Sequence, residues 1–573
     1  MLSGLANKFS LKQYYFNSTI LMIDISRPSE RQKNRGIPGM PMELTAKTTL
    51  ADILLRSYDD YAERPALRDH KEAFTYRELK QRALRIGAHL RQRGVKRGDR
   101  VLLIMNNCSE YVQLEHALIL AGFVRICAIT RLHASEVVQL VADAGPTHAF
   151  IEAAWLQDAG ADFLQRMPCP VVTVGNRTML DSSMSTGLED FAAFTTPAEG
   201  EQVYEPPQPD ELMWFMYTSG STGAPKGVMH TQYSISAMIL NALRAMPLAR
   251  PEDVALHTAP LSHFSGVIAH VVSAAGGENV ALDRFDPAML FDAVAEHRAT
   301  VLPVVPTQLN MLTDYLNANP RDTSGIRIVP YAGSAIAPER LAAAKRFFDG
   351  ALLQYYGSSE IPLPLTVLAA EDHIDTRNEQ GMPRFASAGR AFPGVDIKIL
   401  DLDNTPLPPG STGEILARGP TVSKGYWGNP AASQEIQEND GFIRTGDVGM
   451  FDNDGFLFIV DRRKDMIVTG GFNVYPREVE NAISAMPGVT EVAVVSAPDE
   501  KWGEAIVAVI TPAPGVAITL EQVQAHCRQC LAGYKQPRRL LLVDALPKGS
   551  TGKVQKRLLS QQFWGDRQRK VGG

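Results

Sequence analysis

Cysteine is scarce. The chain holds five among 573 residues, too few for a disulfide framework at this length, so a reducing cytoplasm is the expected setting. Cys527 and Cys530 do form a C-x-x-C beside His526. No second ligand pair stands at metal spacing, and the pattern reads as two cysteines on one face of an Ala- and Gln-rich helix. Long apolar runs are lacking too. None reaches the roughly 18 uninterrupted residues that cross a bilayer, and the N-terminus shows no basic flank, apolar core and small-residue cleavage site of a secretory signal. Neither sign of charge dominates, with 57 Lys and Arg against 63 Asp and Glu, which argues against nucleic acid as a partner and against a charged interaction tail. Internal repeats and low-complexity tracts are missing as well.

What remains is an ordinary globular composition, 45% hydrophobic and 21% charged, with length for about two to four domains. Residues 1–41 are poorly patterned and are expected to be a disordered extension, with a targeting arm or a misassigned start as alternatives. From Thr49 onward helical and strand periods alternate. Helices are expected over Tyr76–Arg93, Glu110–Ala121, Ala288–His297 and Pro338–Phe348. Strands are expected over Arg100–Met105, Val124–Ile129, Glu211–Tyr217, Thr300–Val305 and Ile326–Pro330. Such alternation indicates βαβ units on parallel sheets. From Gly394 the texture changes to short strands separated by turn residues: Asp396–Leu402, Gly413–Arg418 and Phe456–Val460, a small antiparallel layer. A compact α+β unit follows, with helices over Pro476–Met486 and Leu520–Ala532 and strands over Glu491–Ala497 and Ile506–Thr511. The expected organisation is α/β. A large N-terminal domain of stacked βαβ sheets plus a small β layer covers residues 42–461, a charged hinge covers 462–465, and a small mobile α+β domain covers 466–565.

The most informative string is Tyr217-Thr-Ser-Gly-Ser-Thr-Gly-Ala-Pro-Lys-Gly-Val228. By composition alone it is a flexible Ser/Thr/Gly loop. It leaves an apolar strand, however, and offers backbone N–H groups, the hydroxyls of Thr218, Ser219, Ser221 and Thr222, and the cation of Lys226, which together suit a polyphosphate. A Walker A loop is excluded, since Pro225 stands where that spacing needs Gly.

This string resembles the signature of the adenylate-forming superfamily of acyl-CoA synthetases, adenylation domains and luciferases. Further strings follow in the family's order: Pro260-Leu-Ser-His-Phe-Ser-Gly266, Tyr331-Ala-Gly-Ser-Ala335, Gln354-Tyr-Tyr-Gly-Ser-Ser-Glu360, Arg444-Thr-Gly-Asp447, Asp461-Arg-Arg-Lys-Asp465, Gly470-Gly-Phe-Asn-Val-Tyr-Pro476 and Pro547-Lys-Gly-Ser-Thr-Gly-Lys553. The resemblance spans residues 45 to 563 and is most like a stand-alone acyl-CoA ligase.

The resemblance implies roles residue by residue. Thr218, Ser219, Gly220, Ser221, Thr222, Gly223 and Lys226 would bind the ATP phosphates, and Glu360 with Thr222 would hold Mg²⁺. Gly333, Ser334 and Ala335 would line the base; Gln354, Tyr355, Tyr356, Gly357 and Ser359 would complete the nucleotide pocket, with Tyr356 stacked on adenine. Asp447 and Arg462 would hold the ribose. His263 would be an aromatic gate beside the carboxylate, and Lys553 would offset charge in the adenylation transition state. Lys464 would be the hinge, and Gly470 and Gly471 would line the path of coenzyme A. Each has a plainer alternative, such as a turn Asp for Asp447, a solvated lysine for Lys464 and Lys553, or a structural histidine for His263. Ser359 replaces a usual Thr, and Tyr355 replaces a common Gly and narrows the acyl pocket floor. The implied activity is ATP-dependent adenylation of a carboxylic acid, then transfer to coenzyme A, with a carrier protein's phosphopantetheine as the alternative acceptor. Pro260–His270 contains no Asp or Glu to hold an ammonium, so a fatty or aromatic acid is expected rather than an amino acid. An oligomer is compatible with the sequence.

Overall fold

The structure, a computed structural model, describes residues 48–185, 187–198, 205–219, 225–246, 249–470, 472–549 and 554–565. The expected extension at residues 1–41 lies outside them. The fold is mixed α/β, with several parallel-sheet layers and a separate C-terminal domain.

The first sheet has seven strands in the order Glu189–Asp190, Val171–Val174, His148–Glu152, Arg100–Ile104, Val124–Ala128, Leu212–Ser219, Pro225–Thr231. All pairs are parallel except the last, a hairpin in which Thr218 faces Lys226. Leu102, Leu103 and Ile104 are all fully buried, as expected when helices cover both faces of a parallel sheet. The helices start where their caps dictate. Thr75 and Glu78 form a capping box before Tyr76–Gln92, and Asp286 caps Pro287–His297 with proline in the first turn.

A second sheet runs Val254–His257, Glu278–Ala281, Pro65–Arg68, Ala73–Thr75, and a third runs Val329–Tyr331, Leu352–Tyr356, Thr366–Leu368, Arg390–Ala391. The strand expected over Thr300–Val305 is reduced to isolated bridges at Val301 and Val304. Val301 N donates to Val254 O, but the next donor on that side would be Pro303, which has no N–H, so the ladder breaks there.

The antiparallel layer is Asp396–Leu400, Gly413–Arg418, Ile443–Phe451, Leu457–Arg462. Its last strand runs on to Arg462, because Asp447 and Arg462 are cross-strand partners. The C-terminal sheet orders Phe472–Val474, Ile467–Thr469, Gly503–Pro512, Val489–Asp499, with Arg539–Leu542 parallel beside Gly503–Pro512. One expectation is corrected here. The helix Leu520–Cys527 stops before Cys530, where Gln529 N and Cys530 N donate to His526 O and Cys527 O, three residues back, in tight turns. The two thiols therefore share no helix face: Cys527 is buried, Cys530 is exposed, and both are free. No helix among the described residues is long and apolar enough to cross a membrane.

Candidate active site

The strand Leu212–Ser219 delivers Thr218 to the sheet's edge, and Lys226 returns opposite it on the hairpin. Gly220, Ser221, Thr222 and Gly223 lie outside the described residues, as does the side chain of Ser219. Lys226 Nζ sits 5.2 Å from the centroid of the Tyr426 ring, and the Tyr426 hydroxyl donates to Glu360 Oε1 at 2.8 Å. One phenol thus holds a cation over its face and a carboxylate at its tip. Burial first, and the Glu360 carboxylate second, push the Tyr426 pKa up, so this phenol stays a donor. Tyr426 was not among the residues picked out from sequence. Its only signal is an aromatic pair between glycines, Gly425-Tyr-Trp-Gly428, and its tie to the hairpin is a bridge to Val228.

Glue on both flanks fixes the turn that carries Glu360. Ser423 N donates to Glu360 O at 2.9 Å, and Ser359 O accepts from His230 Nε2 at 2.8 Å. Burial holds His230 neutral, its pKa lowered to about 4. A depression of about 450 Å³ lined by Met229, Lys424, Trp427 and Gln437 shares Tyr426 with this group, yet its lining gathers no reacting pair. Charged side chains gather instead at Glu360, Asp447 and Arg462.

At the other end of that turn stands Tyr356, the last residue of Leu352–Tyr356. Its hydroxyl donates to Asp447 Oδ2 at 2.7 Å, while Arg462 Nε lies 2.7 Å from Asp447 Oδ1. Asp447 is buried and its cross-strand partner Arg462 is half exposed. Burial is the largest influence on Arg462 and works against its charge. Asp447, Tyr356 and Glu360 together outweigh it and raise the pKa. The Arg462 guanidinium therefore feels both ends of the turn. Strand alternation sends Tyr355 the other way, where its hydroxyl donates to Ala242 O at 3.1 Å and its ring packs 6.2 Å from Phe264. Gln354 is half-buried and accepts from the Tyr331 hydroxyl. Gly333, Ser334 and Ala335 are exposed after the strand Val329–Tyr331, and Gly357 is half-buried.

His263 is the exposed N-cap of the helix Phe264–Ala275, with Ser262 Oγ 2.8 Å from its Nδ1. Gly266 is required there, for a Cβ would fall 1.8 Å from Leu261 O. Asn107, also missed in the sequence, clamps this loop. Its amide donates to His257 O and Ala259 O and accepts from Leu261 N.

The description "AMP-binding enzyme" matches residues 54–427, and "AMP-binding enzyme C-terminal domain" matches 478–553. The chain belongs to the AMP-binding enzyme family. It is 36% identical over 452 residues to the medium/long-chain-fatty-acid–CoA ligase FadD8 of Mycobacterium tuberculosis, covering 77% of this chain and 76% of that one. It is 34% identical over 504 residues to a feruloyl-CoA synthase of an Amycolatopsis species, covering 87% and 96%. Among solved structures, the amide bond synthetase McbA of Marinactinospora thermotolerans superposes with a TM-score of 0.79 at 28% identity, over 90% of this chain and 99% of that one. Within the family this chain is an AMP-forming acyl-CoA synthetase.

The remaining expected residues lie from Lys464 onward. Lys464 is exposed in the turn Arg463–Asp465, and Arg463 Nη1 reaches Glu414 Oε2 at 2.8 Å. Gly470 has φ +60, donates to Trp502 O, and would put a Cβ 2.7 Å from the Trp502 ring, so only glycine fits. Gly471 and Lys553 lie outside the described residues. Asp461, beside Arg462, accepts from Arg477 N at 2.7 Å, and Lys556 pairs with Glu480 at 2.8 Å. Burial is the first cause in raising the pKa of both Asp461 and Glu480.

Proposed function

We propose that this acyl-CoA synthetase adenylates a fatty or aromatic carboxylic acid and transfers the acyl group to coenzyme A. The observation that carries the reading is the segment Tyr356–Glu360. One end contacts Asp447 and Arg462, the other joins Tyr426 and Lys226. A nucleotide has the same polarity, ribose at one end and polyphosphate at the other.

Asp447 accepts the ribose hydroxyls, the Tyr356 ring stacks on adenine and Lys226 meets the phosphates. The Glu360 carboxylate fits Mg²⁺. It is a hard oxygen donor, and no group of three or more His, Cys, Asp or Glu stands ready for a metal among the described residues. That is the donor-poor arrangement Mg²⁺ accepts when phosphates and water complete its shell. Bound there, the ion neutralises phosphate charge. A substrate carboxylate oxygen, steered past His263, attacks the α-phosphorus, and the bond to pyrophosphate breaks. Lys553 offsets the added negative charge. The thiolate of coenzyme A then attacks the acyl carbon and AMP leaves. Lys464 is the hinge between the two orientations these steps need, and Gly470 and Gly471 line the thiol's path. The relatives named above act on fatty acids and on ferulate, which supports an acid of either kind, and Tyr355 limits the pocket's girth.

The test measures pyrophosphate release over a panel of acids, then thioester formation with coenzyme A or with a holo carrier protein. Apolar acids should release pyrophosphate and give the coenzyme A thioester, and Lys553→Ala should slow the first step by roughly 100-fold. Thioester on the carrier protein alone would replace the acceptor. No pyrophosphate with any acid would overturn the adenylation reading.

A further inference from the structure

Behind the gate lies a group of buried polar side chains that the reaction does not use. Glu115 and Arg125 are paired through Oε1 and Nη1, and His270 Nε2 lies 3.4 Å from Glu115 Oε2. The Arg125 guanidinium stacks 4.0 Å from the Trp214 ring, and the Trp214 and His270 rings are 5.7 Å apart. Exposure is 3% for Glu115 and Arg125, 1% for Trp214 and 2% for His270. Yet Arg125 Nε, Trp214 Nε1 and His270 Nδ1 find no hydrogen-bond partner among the described residues. Buried polar atoms are almost always paired, and each exception asks for a cause. Here the exceptions sit on three side chains in mutual contact.

Two elements lead to this group from the reacting centre. The helix Phe264–Ala275 begins at His263, and His270 lies seven residues on. That is the same helical face, about 10 Å deeper by the helix rise. The strand Leu212–Ser219 reaches the phosphate end at Thr218. Trp214 is four residues earlier on the same face of that strand, about 13 Å away at strand spacing. Met216 and Val267, which fall between, belong to the same apolar cluster as Trp214, Phe264 and Tyr355. An acyl chain that enters past His263 and follows these faces ends on Arg125, Trp214 and His270.

Their chemistry defines the end group. Arg125 Nε–H and Trp214 Nε1–H are obligate donors. The ligand must therefore accept. It must also be neutral, since Arg125 is already balanced by Glu115 and a second carboxylate would be an unpaired buried charge. We propose that the acyl pocket ends on Arg125, Trp214 and His270, and that the enzyme selects acids carrying a neutral hydrogen-bond acceptor (a ketone, ether or phenolic oxygen) about 10 Å from the carboxylate. This rests on the adenylation reading above and adds the identity of the acid's far end.

The test uses the full chain with octanoate, its analogue oxidised to a ketone at the penultimate carbon, and octanedioate. Readouts are pyrophosphate release and thermal shift in the presence of ATP. The ketone should exceed octanoate by about tenfold in kcat/KM, the discrimination of a site built to hydrogen-bond its substrate, and octanedioate should be poorest. Trp214→Phe keeps an aromatic ring and removes the N–H, and should shrink the ketone-over-octanoate preference to about twofold. If the variant does not fold, the wild-type ranking and the thermal shift decide alone. Internal water on these side chains would leave octanoate equal or better, and that ranking overturns the proposal while adenylation stands. Pyrophosphate from none of the three acids would remove both.

Discussion

At Asp447 a phenol and a guanidinium arrive on separate carboxylate oxygens, Tyr356 on Oδ2 and Arg462 on Oδ1, each at 2.7 Å. Neither contact is local in sequence, and each holds the carboxylate's orientation before any ligand arrives. Hydrogen bonds to a charged group are each worth about 1.5–3 kcal/mol, so Asp447→Ala should raise the KM for ATP by roughly 10- to 100-fold. Tyr356→Phe keeps the ring and loses only the phenol contact, and should cost about tenfold or less. The pair is separated by steady-state pyrophosphate release with ATP varied. An Asp447→Ala enzyme with an unchanged KM would remove this carboxylate from the nucleotide site. Tyr426 teaches the same lesson from the sequence side, for its partners Glu360 and Lys226 are remote in the chain and only the fold makes the three a unit.

The proposed crossing between domains after Asp461 is an event of elements. The strand Leu457–Arg462 continues to its last residue because Asp447 pairs with Arg462 there, and Asp461 next to it accepts from Arg477 N in the C-terminal domain. The chain then turns through Arg463–Asp465 with Lys464 exposed. With Lys464 proposed as the pivot, two residues past the held strand end, backbone rotation would be absorbed without breaking the strand. Proline fixes its own φ and restricts the residue before it. In Lys464→Pro, adenylation should persist within about tenfold, and thioester formation should fall much further. The half-reactions are read as pyrophosphate release and as single-turnover transfer from preformed acyl-AMP. Transfer at the wild-type rate would sink the hinge assignment.

For the molecule as a whole, buried histidines set the response to acid. Burial lowers the pKa of His230, His257 and His373 to about 4 and that of His116 to about 3, from an ordinary 6.5. Above pH 6.5 both folded and unfolded chains hold these rings neutral. Below it the unfolded chain takes up protons the folded chain refuses, so stability falls as pH drops toward 4. Each ring contributes at most about 1.4 kcal/mol per pH unit. Burial raises the carboxyls of Asp372, Asp461 and Glu480, which act in the opposite sense but are fewer. The urea midpoint should therefore drop clearly between pH 7.5 and pH 5. Equal midpoints would show that the rings titrate normally in the folded state.

Much of this was written in local order. Helices with a cap or a first-turn proline and a regular apolar period, such as Tyr76–Gln92 and Pro338–Phe348, are determined by near neighbours and were legible within a residue or so. The family and its nucleotide chemistry were legible because strings such as Thr218–Lys226 and Tyr356–Glu360 keep reacting groups within a few residues of one another. What tertiary structure alone decided are meetings across the chain. Asn107 clamps the loop at Leu261, Tyr426 joins Lys226 to Glu360, and Tyr355 points away from Asp447 toward Ala242. The reason is range: periodicity and turn chemistry act over a few residues, whereas a buried polar side chain is placed by whichever distant element packs upon it. Trp214 and His270 read as plain core in their own segments, and only their shared burial with Arg125 gives them a chemistry.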